Sequence, residues 1–135
     1  MTTVETGSAP PLTIAEAAVQ TGLTAHTLRY YERDGLLLSP PGRTASGHRA
    51  YSAEDLRWIR MLTLLRSTGM SIADLRRYAD LVRSGVDTTS ERLDLLTEHR
   101  AKVEQQMAEV AAHLRAIDHK IGLYQALLDS PEQRA

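Results

Sequence analysis

The sequence predicts an all-α protein in which a winged helix-turn-helix head is followed by one long coiled-coil helix. Three observations predict this fold class. Capping signals and glycines divide residues 12–85 into four short amphipathic helices. Two prolines and two glycines interrupt the helical pattern after the second helix, as expected for a small hairpin. From residue 93 onward, apolar residues recur at alternating spacings of three and four, which is typical of a coiled coil.

The length of 135 residues allows one modest core with an extension. We expect a disordered arm over residues 1–11, a winged-helix domain over 12–85, a coiled-coil helix over 86–129 and a tail over 130–135. The N-terminus has no basic start followed by an apolar run, and no segment approaches the roughly 18 apolar residues of a membrane span. We therefore expect a cytoplasmic protein without a membrane partner.

The residue types exclude several classes of chemistry. The chain has no cysteine, which rules out disulfides, thiolate metal sites, iron–sulfur clusters and cysteine nucleophiles. No serine or histidine stands in a nucleophile-elbow, phosphate-loop or metalloprotease spacing. His99 and His113 lie about 21 Å apart along one helix and cannot share an ion, although a site completed between two copies stays open. We predict a protein that is not an enzyme and needs no metal or cofactor.

Charge is unevenly distributed along the chain, although the net charge is only −1. Residues 11–83 contain 10 arginines against 7 acids, whereas residues 84–135 contain 6 basic residues against 9 acids. The stretch from Pro40 to Tyr51 contains two arginines and a histidine with no acid at all. Such a local basic patch favours a nucleic-acid partner more than the net charge suggests.

The first two helices are predicted from their ends. Thr13 and Glu16 form a capping box at the start of the first helix, and Gly22 ends it. Thr24 is a suitable N-cap for a second helix over residues 25–33. Two short helices joined by a glycine-containing turn make a helix-turn-helix.

The segment "LLLSPPGRTASGHRAYS", residues 36–52, cannot be helical and is predicted to be a hairpin, which we call the wing. The capping box "SAED" then starts a third helix that ends at Gly69. A further capping box, "SIAD", starts a fourth helix that ends at Gly85.

The last third of the chain carries a seam from Leu93 to Leu128, in which 10 of 11 positions are apolar and Arg100 is the exception. A lone helix would expose this seam along its length, so a homodimer is the economical arrangement. The pattern itself does not decide between parallel and antiparallel pairing. The predicted dimerisation residues are Leu96, Val103, Met107, Val110, Leu114, Ile117, Ile121 and Tyr124.

A helix-turn-helix reads DNA by placing the N-terminal residues of its second helix in the major groove. Thr24, His26 and Thr27 occupy that end, with hydroxyl and imidazole groups for base edges or phosphates. Arg29 and Tyr30 return to the same side, where a guanidinium and a phenol suit phosphate oxygens. We therefore predict that this helix contacts double-stranded DNA.

Tyr31 follows about one turn after Leu28, so we expect a partly buried ring that offers only its hydroxyl to DNA. The wing adds Arg43, His48, Arg49 and Tyr51, a cationic and aromatic set suited to phosphates beside the groove. Two heads on one duplex require a roughly palindromic site, with the coiled coil setting the distance between half-sites.

The chain resembles transcription regulators of the MerR family. The resemblance lies in "LTIAEAAVQTGLTAHTLRYYERDGLL", "RTASGHRAYS", "DLRWIRMLTLLRSTGMSIADLRRY" and the long terminal helix, together residues 12 to about 125. It implies a DNA-binding head and a homodimer held by an antiparallel coiled coil. It further implies that the protein binds between two widely spaced promoter elements. Bending and untwisting of the DNA then align these elements for RNA polymerase.

The resemblance also implies specific contacts and exposes two departures. The family's DNA contacts fall on His26, Thr27, Arg29, Tyr30, Tyr31, Arg43, Arg49 and Tyr51. His48 stands where the family usually has tyrosine, and the cysteines that metal-sensing and redox-sensing members use are missing. No effector is therefore named by the sequence.

Tyr78 and Tyr124 are the candidate residues for a small-molecule effector. They either line a small apolar pocket where one long helix meets the partner's head, or Tyr124 simply ends the seam with its hydroxyl in water. Two alternatives to a promoter regulator also stay open. One is an architectural or recombination-accessory protein that bends DNA, and the other is an adaptor whose coiled coil recruits a different chain.

Overall fold

The computed structural model describes residues 10–130, which form five α-helices and one short hairpin. The helices are α1 (Ile14–Thr21), α2 (Ala25–Arg33), α3 (Ala53–Ser67), α4 (Ile72–Ser84) and α5 (Thr89–Asp129), with a 3-10 turn at Val86–Thr88 before α5. The strands are β1 (Gly42–Arg43) and β2 (Arg49–Ala50), paired antiparallel. The predicted helical fold with a helix-turn-helix head and a long terminal helix is confirmed. Most of the predicted arm and tail lies outside the described residues.

Side-chain caps define the starts of three helices, as the sequence predicts. Thr13 Oγ1 accepts a hydrogen bond from the Glu16 N–H at 3.1 Å, and Glu16 Oε1 accepts one from the Thr13 N–H at 2.9 Å. Ser52 and Asp55 form the same reciprocal pair at 3.1 and 2.9 Å. At α4 only one half of the predicted capping box forms among the described residues: the hydroxyl of Ser71 accepts from the Asp74 N–H at 3.1 Å. These bonds satisfy amides that a helix cannot pair internally.

The turn between α1 and α2 depends on a glycine. Gly22 has a φ of 74°, and its N–H donates to the carbonyl of Ala18, so the chain reverses direction immediately after α1. A side chain is rarely tolerated at such a φ. Thr24 then starts α2, where its hydroxyl accepts from the Thr27 N–H at 3.0 Å. The result is the predicted helix-turn-helix.

The core of the head lies where α1 packs on α2 and α3, and where α3 packs on α4. Its fully buried large side chains are Leu28, Leu36, Tyr51, Ile59, Leu62 and Leu75. Trp58 closes one edge of this core: its Nε1–H donates to the Leu36 carbonyl at 2.8 Å. Its ring stacks on Tyr78 with the ring centroids 5.5 Å apart. The segment that follows α2 is thereby attached to α3 and α4.

The chain divides into two compact units, the first ending at Leu95 and the second beginning at Leu96. The expected boundary at residue 85 falls earlier. The 3-10 turn and the start of α5 belong to the head because they are tied to α4 and its C-cap: Thr88 donates to the Leu81 carbonyl at 2.6 Å, and Arg92 to the Gly85 carbonyl at 3.3 Å. Leu95 is buried, which completes this attachment.

The second unit contains residues 96–129 of α5, whose apolar seam is largely exposed to solvent. Leu96 and Val103 are half-buried, while Met107, Val110, Leu114, Ile117, Ile121 and Tyr124 are all exposed. The exposed fraction is 67% at Met107 and 72% at Leu128. Across residues 10–130, no helix combines the length and apolar character needed to cross a bilayer.

Replacement of Leu62 by Ala should lower the free energy of unfolding by about 2–5 kcal/mol, because it removes a fully buried side chain and leaves a cavity. Leu64 lies on the same helix but is 57% exposed, so Leu64→Ala should cost only about 0.5 kcal/mol. Denaturant unfolding followed by circular dichroism compares the two. Equal losses would contradict the placement of the core.

Candidate nucleic-acid interface

Three parts of the head line one cleft of about 600 Å³, which we call the basic cleft. They are the start of α1, the outer side of α2 and the wing. The lining residues are Thr13, Ile14, Ala15, Arg29, Arg43, Thr44, Ser46, Gly47, His48 and Arg49. Three arginines and a histidine therefore face a single concave surface, and none of the lining residues within 10–130 is acidic. This arrangement suits an anionic ligand.

The N-terminus of α1 adds further donors to the basic cleft. Ile14 and Ala15 belong to the first turn of the helix, whose N–H groups have no partner within a helix. The helix dipole also places partial positive charge at this end. Both features favour a phosphate at the start of α1.

The tip of the wing is organised by short-range hydrogen bonds. The Thr44 N–H donates to the His48 carbonyl at 2.8 Å, and the Gly47 N–H donates to the Thr44 carbonyl at 2.9 Å. The Ser46 hydroxyl is hydrogen-bonded to His48 Nδ1 at 2.9 Å. Because Nδ1 is engaged, Nε2 is the ring nitrogen with which His48 can contact a ligand. Arg43 donates to the Gly47 carbonyl at 3.4 Å, so it also lies along the hairpin.

The wing is joined to α2 by an ion pair that the sequence analysis did not predict. Arg49 Nε lies 2.5 Å from Glu32 Oε1, and both side chains are mostly buried. The hydrogen bond that Arg49 donates to Glu32 raises the pKa of Arg49 above its ordinary value, so the guanidinium stays charged. The two residues are 17 positions apart, and no local pattern could have indicated their contact.

The predicted contact residues of α2 differ in exposure. His26 and Arg29 are exposed, and Thr27 and Tyr30 are half-buried. Thr24 is exposed, but its hydroxyl is bonded to both the N–H and the hydroxyl of Thr27 at 3.0 Å. Thr24 therefore caps α2 in this structure, while the remaining four side chains face outward or partly outward.

The buried positions of Tyr31 and Tyr51 correct two of the expected contacts. Tyr31 is 5% exposed; burial raises its pKa, and a hydrogen bond with Thr63 opposes that shift. Tyr51 has no exposed surface, and its backbone pairs with Leu12 through two hydrogen bonds of 2.8 Å. A side chain without exposed surface cannot touch a duplex outside the head. We therefore remove Tyr51 from the contact set and assign the hydroxyl of Tyr31 to the core.

The two tyrosines considered for an effector occupy different environments. Tyr78 is 9% exposed and stacks on Trp58, at the edge of a groove of about 410 Å³ that Leu38 and Met61 also line. Tyr124 is 59% exposed, and Lys120 Nζ lies 5.8 Å from the centre of its ring. An effector role stays a prediction for both. Trp58, the one tryptophan of the chain, is not among the residues predicted from the sequence.

Comparison with known families agrees with this geometry. Residues 12–81, more than half of the chain, match the family model described as MerR HTH family regulatory protein. The chain belongs to the MerR family. Residues 55–120 match a second model, described as MerR, DNA binding. The resemblance inferred from the sequence is confirmed, and this MerR-family chain is a transcriptional regulator with a DNA-binding domain.

Relatives and solved structures of MerR proteins resemble most of the chain. An HTH-type transcriptional regulator of Haemophilus influenzae is 39% identical over 113 residues, covering 84% of this chain and 83% of its own. A structure from Listeria monocytogenes, assigned to the family, has 39% identity and a TM-score of 0.80, covering 84% and 86% of the two chains. HiNmlR, described as a MerR regulator lacking the sensor domain and bound to promoter DNA, has 38% identity and a TM-score of 0.78, covering 86% and 91%.

Replacement of Tyr51 by Phe tests whether the Tyr51 side chain is buried. Its hydroxyl is buried without a hydrogen-bond partner among the described residues. Tyr51→Phe should therefore raise the free energy of unfolding by about 1 kcal/mol, since it removes an unsatisfied polar group and keeps the ring. It should also leave DNA affinity unchanged. Thermal unfolding and fluorescence anisotropy with a DNA fragment measure these quantities, and a loss of affinity at unchanged stability would restore Tyr51 as a contact.

Proposed function

We propose that this MerR-family regulator binds a palindromic promoter operator as a homodimer and acts by bending and untwisting the DNA. The observation that carries the proposal is the basic cleft. Arg29 from α2 and Arg43 and Arg49 from the wing converge there with the positively polarised start of α1. A backbone phosphate is the ligand that matches these donors, because guanidinium groups and the free N–H groups at the start of a helix donate hydrogen bonds to phosphate oxygens.

The other contact residues follow from this placement. With a phosphate in the basic cleft, α2 lies along the adjacent major groove with its N-terminal end toward the bases. His26 and Thr27 then contact base edges, while Tyr30 contacts the neighbouring backbone. His48 offers Nε2 to a phosphate beside the wing, in place of the tyrosine hydroxyl that the family usually has. The wing and α1 thus position the head, and the end of α2 reads the sequence.

The exposed seam of α5 supports the homodimer. Its apolar side chains form a stripe far longer than a surface helix normally leaves in water. Val110 is the central seam position, with five positions on each side from Leu93 to Leu128. Antiparallel pairing of two chains near this centre buries the stripe on both helices, including the segment Val103–Ala111. The two heads then lie at opposite ends of the paired helices.

Bending and untwisting follow from fixing two heads to one coiled coil. The distance and angle between the two α2 helices are then set by the protein, and the duplex must deform to engage both. Deformation brings two widely spaced promoter elements into register for RNA polymerase, which is the proposed partner on the same promoter. The similarity to HiNmlR, described as bound to promoter DNA, supports a promoter as the target.

Arg29→Ala should weaken DNA binding about tenfold, because it removes one charge-assisted contact with a phosphate. The slope of log affinity against log salt should also fall by about 0.9 per lost phosphate contact. Arg115→Ala on the exposed surface of α5 removes the same charge outside the basic cleft and serves as the control. Anisotropy titrations at several salt concentrations give both quantities. Equal behaviour of the two variants would reject the basic cleft as the DNA site.

The double variant Val110→Glu with Ile117→Lys should be monomeric, because both seam positions would bury a charge in the dimer. Ala112→Glu lies on the opposite face of α5 and should remain dimeric. Sedimentation velocity measures the assembly. Energy transfer between dyes at the ends of a bound fragment measures bending, which we expect for the dimer alone. A monomer that binds tightly, or a dimer that leaves its DNA straight, would contradict the proposed function.

A further inference from the structure

The contact between Glu32 and Arg49 links the two DNA-facing parts of the head. Glu32 lies in the last turn of α2, and Arg49 opens β2 of the wing. Within residues 10–130, the ion pair of Glu32 is with Arg49 and not with Arg29 or Arg33 on its own helix. The carboxylate therefore reaches across to the wing rather than forming the nearer pair along α2.

The atoms involved decide what this contact leaves free. Glu32 Oε1 accepts from Nε of Arg49, the nitrogen nearest the aliphatic part of the side chain. The guanidinium has five N–H donors in a rigid plane, so the four donors on its two terminal nitrogens stay available. Arg49 lines the basic cleft, whereas Glu32 does not. Glu32 thus engages Nε, and the two terminal nitrogens are the donors that Arg49 has left for a ligand in the cleft.

We infer that Glu32 is a positioning residue for DNA binding: it orients the guanidinium of Arg49 so that its terminal nitrogens bind a phosphate in the basic cleft. This inference rests on the proposed function. The side chains of Glu32 and Arg49 are 21% and 29% exposed, so neither is free to sample many rotamers. Orientation before binding removes part of the entropy cost of immobilising a long arginine side chain on DNA.

A competing effect of Glu32 has the opposite sign. Its negative charge partly neutralises Arg49 and repels phosphates, so a purely electrostatic role predicts tighter DNA binding when the acid is removed. Orientation dominates in our account for two reasons. The acid lies outside the cleft lining, and Arg29, Arg43 and His48 keep the cleft basic. The sign of the change in affinity therefore separates the two roles.

The test compares Glu32→Ala, Arg49→Ala and their combination in the full chain, using anisotropy with a DNA fragment at several salt concentrations. Glu32→Ala should weaken binding by about threefold to tenfold, the cost of immobilising one unrestrained arginine side chain on DNA, and by no more than Arg49→Ala does. The combined variant should bind no more weakly than Arg49→Ala alone, because the acid acts only through that arginine. Glu32→Gln keeps an acceptor oxygen and should recover part of the affinity.

Glu54→Ala is the matched control, because it removes the same side chain from an exposed pair with Arg57 outside the cleft. It should leave affinity unchanged or slightly higher. Tighter binding by Glu32→Ala would overturn the inference in favour of charge competition. Losses that multiply in the combined variant would instead indicate a general effect on the head. If Arg29→Ala and Arg49→Ala both bind normally, the proposed function itself fails, which is a distinguishable result.

Discussion

The burial of Leu28 and Tyr31 fixes the rotation of α2 about its own axis, and the rest of the interface depends on it. Both side chains are enclosed by the core of the head. Since successive helical residues are separated by about 100°, burying these positions turns His26 and Arg29 toward solvent. A change in this packing would rotate every outward side chain together, without altering any of them chemically. The apolar contacts behind α2 therefore control what its polar face can reach.

The wing and the C-cap of α2 are held in place by contacts with residues far away in the sequence. The backbone of Leu12, just before α1, pairs with that of Tyr51, so the start of α1 and the end of the wing are joined. On the other side, α4 supplies two arginines: Arg76 Nη2 lies 2.6 Å from Asp34 Oδ2, and Arg83 donates to the Leu37 carbonyl at 2.5 Å. A two-stranded hairpin is marginal alone. These attachments make it a fixed part of the head.

The helices could be predicted from the sequence because local interactions determine where they begin and end. The hydroxyl of Thr13 and the carboxylate of Glu16 find each other within one turn, whatever the rest of the chain does. Gly22 likewise acts on its immediate neighbours. The alternating seam of α5 predicted a continuous helix for the same reason, since its period is a property of adjacent turns.

Side-chain environments were predicted less well because they arise from residues far apart in sequence. Tyr51 has a hydroxyl group and lies in a basic segment, which suggested an exposed contact with DNA. Its backbone pairing with Leu12 instead places the ring in the core. The partnership of Arg49 with Glu32 depends on how the hairpin folds over α2. The extension of the head to Leu95 likewise depends on bonds from Thr88 and Arg92 to α4 and the loop after it.

In the proposed homodimer, the exposed stripe of α5 makes the activity of the regulator depend on how much of it a cell contains. When a second copy covers the stripe, the concentration of paired chains rises with the square of the free-chain concentration while unpaired chains predominate. A modest change in synthesis or turnover then produces a more than proportional change in promoter occupancy. Gene dosage and expression level thus become signals in their own right, in addition to any small molecule.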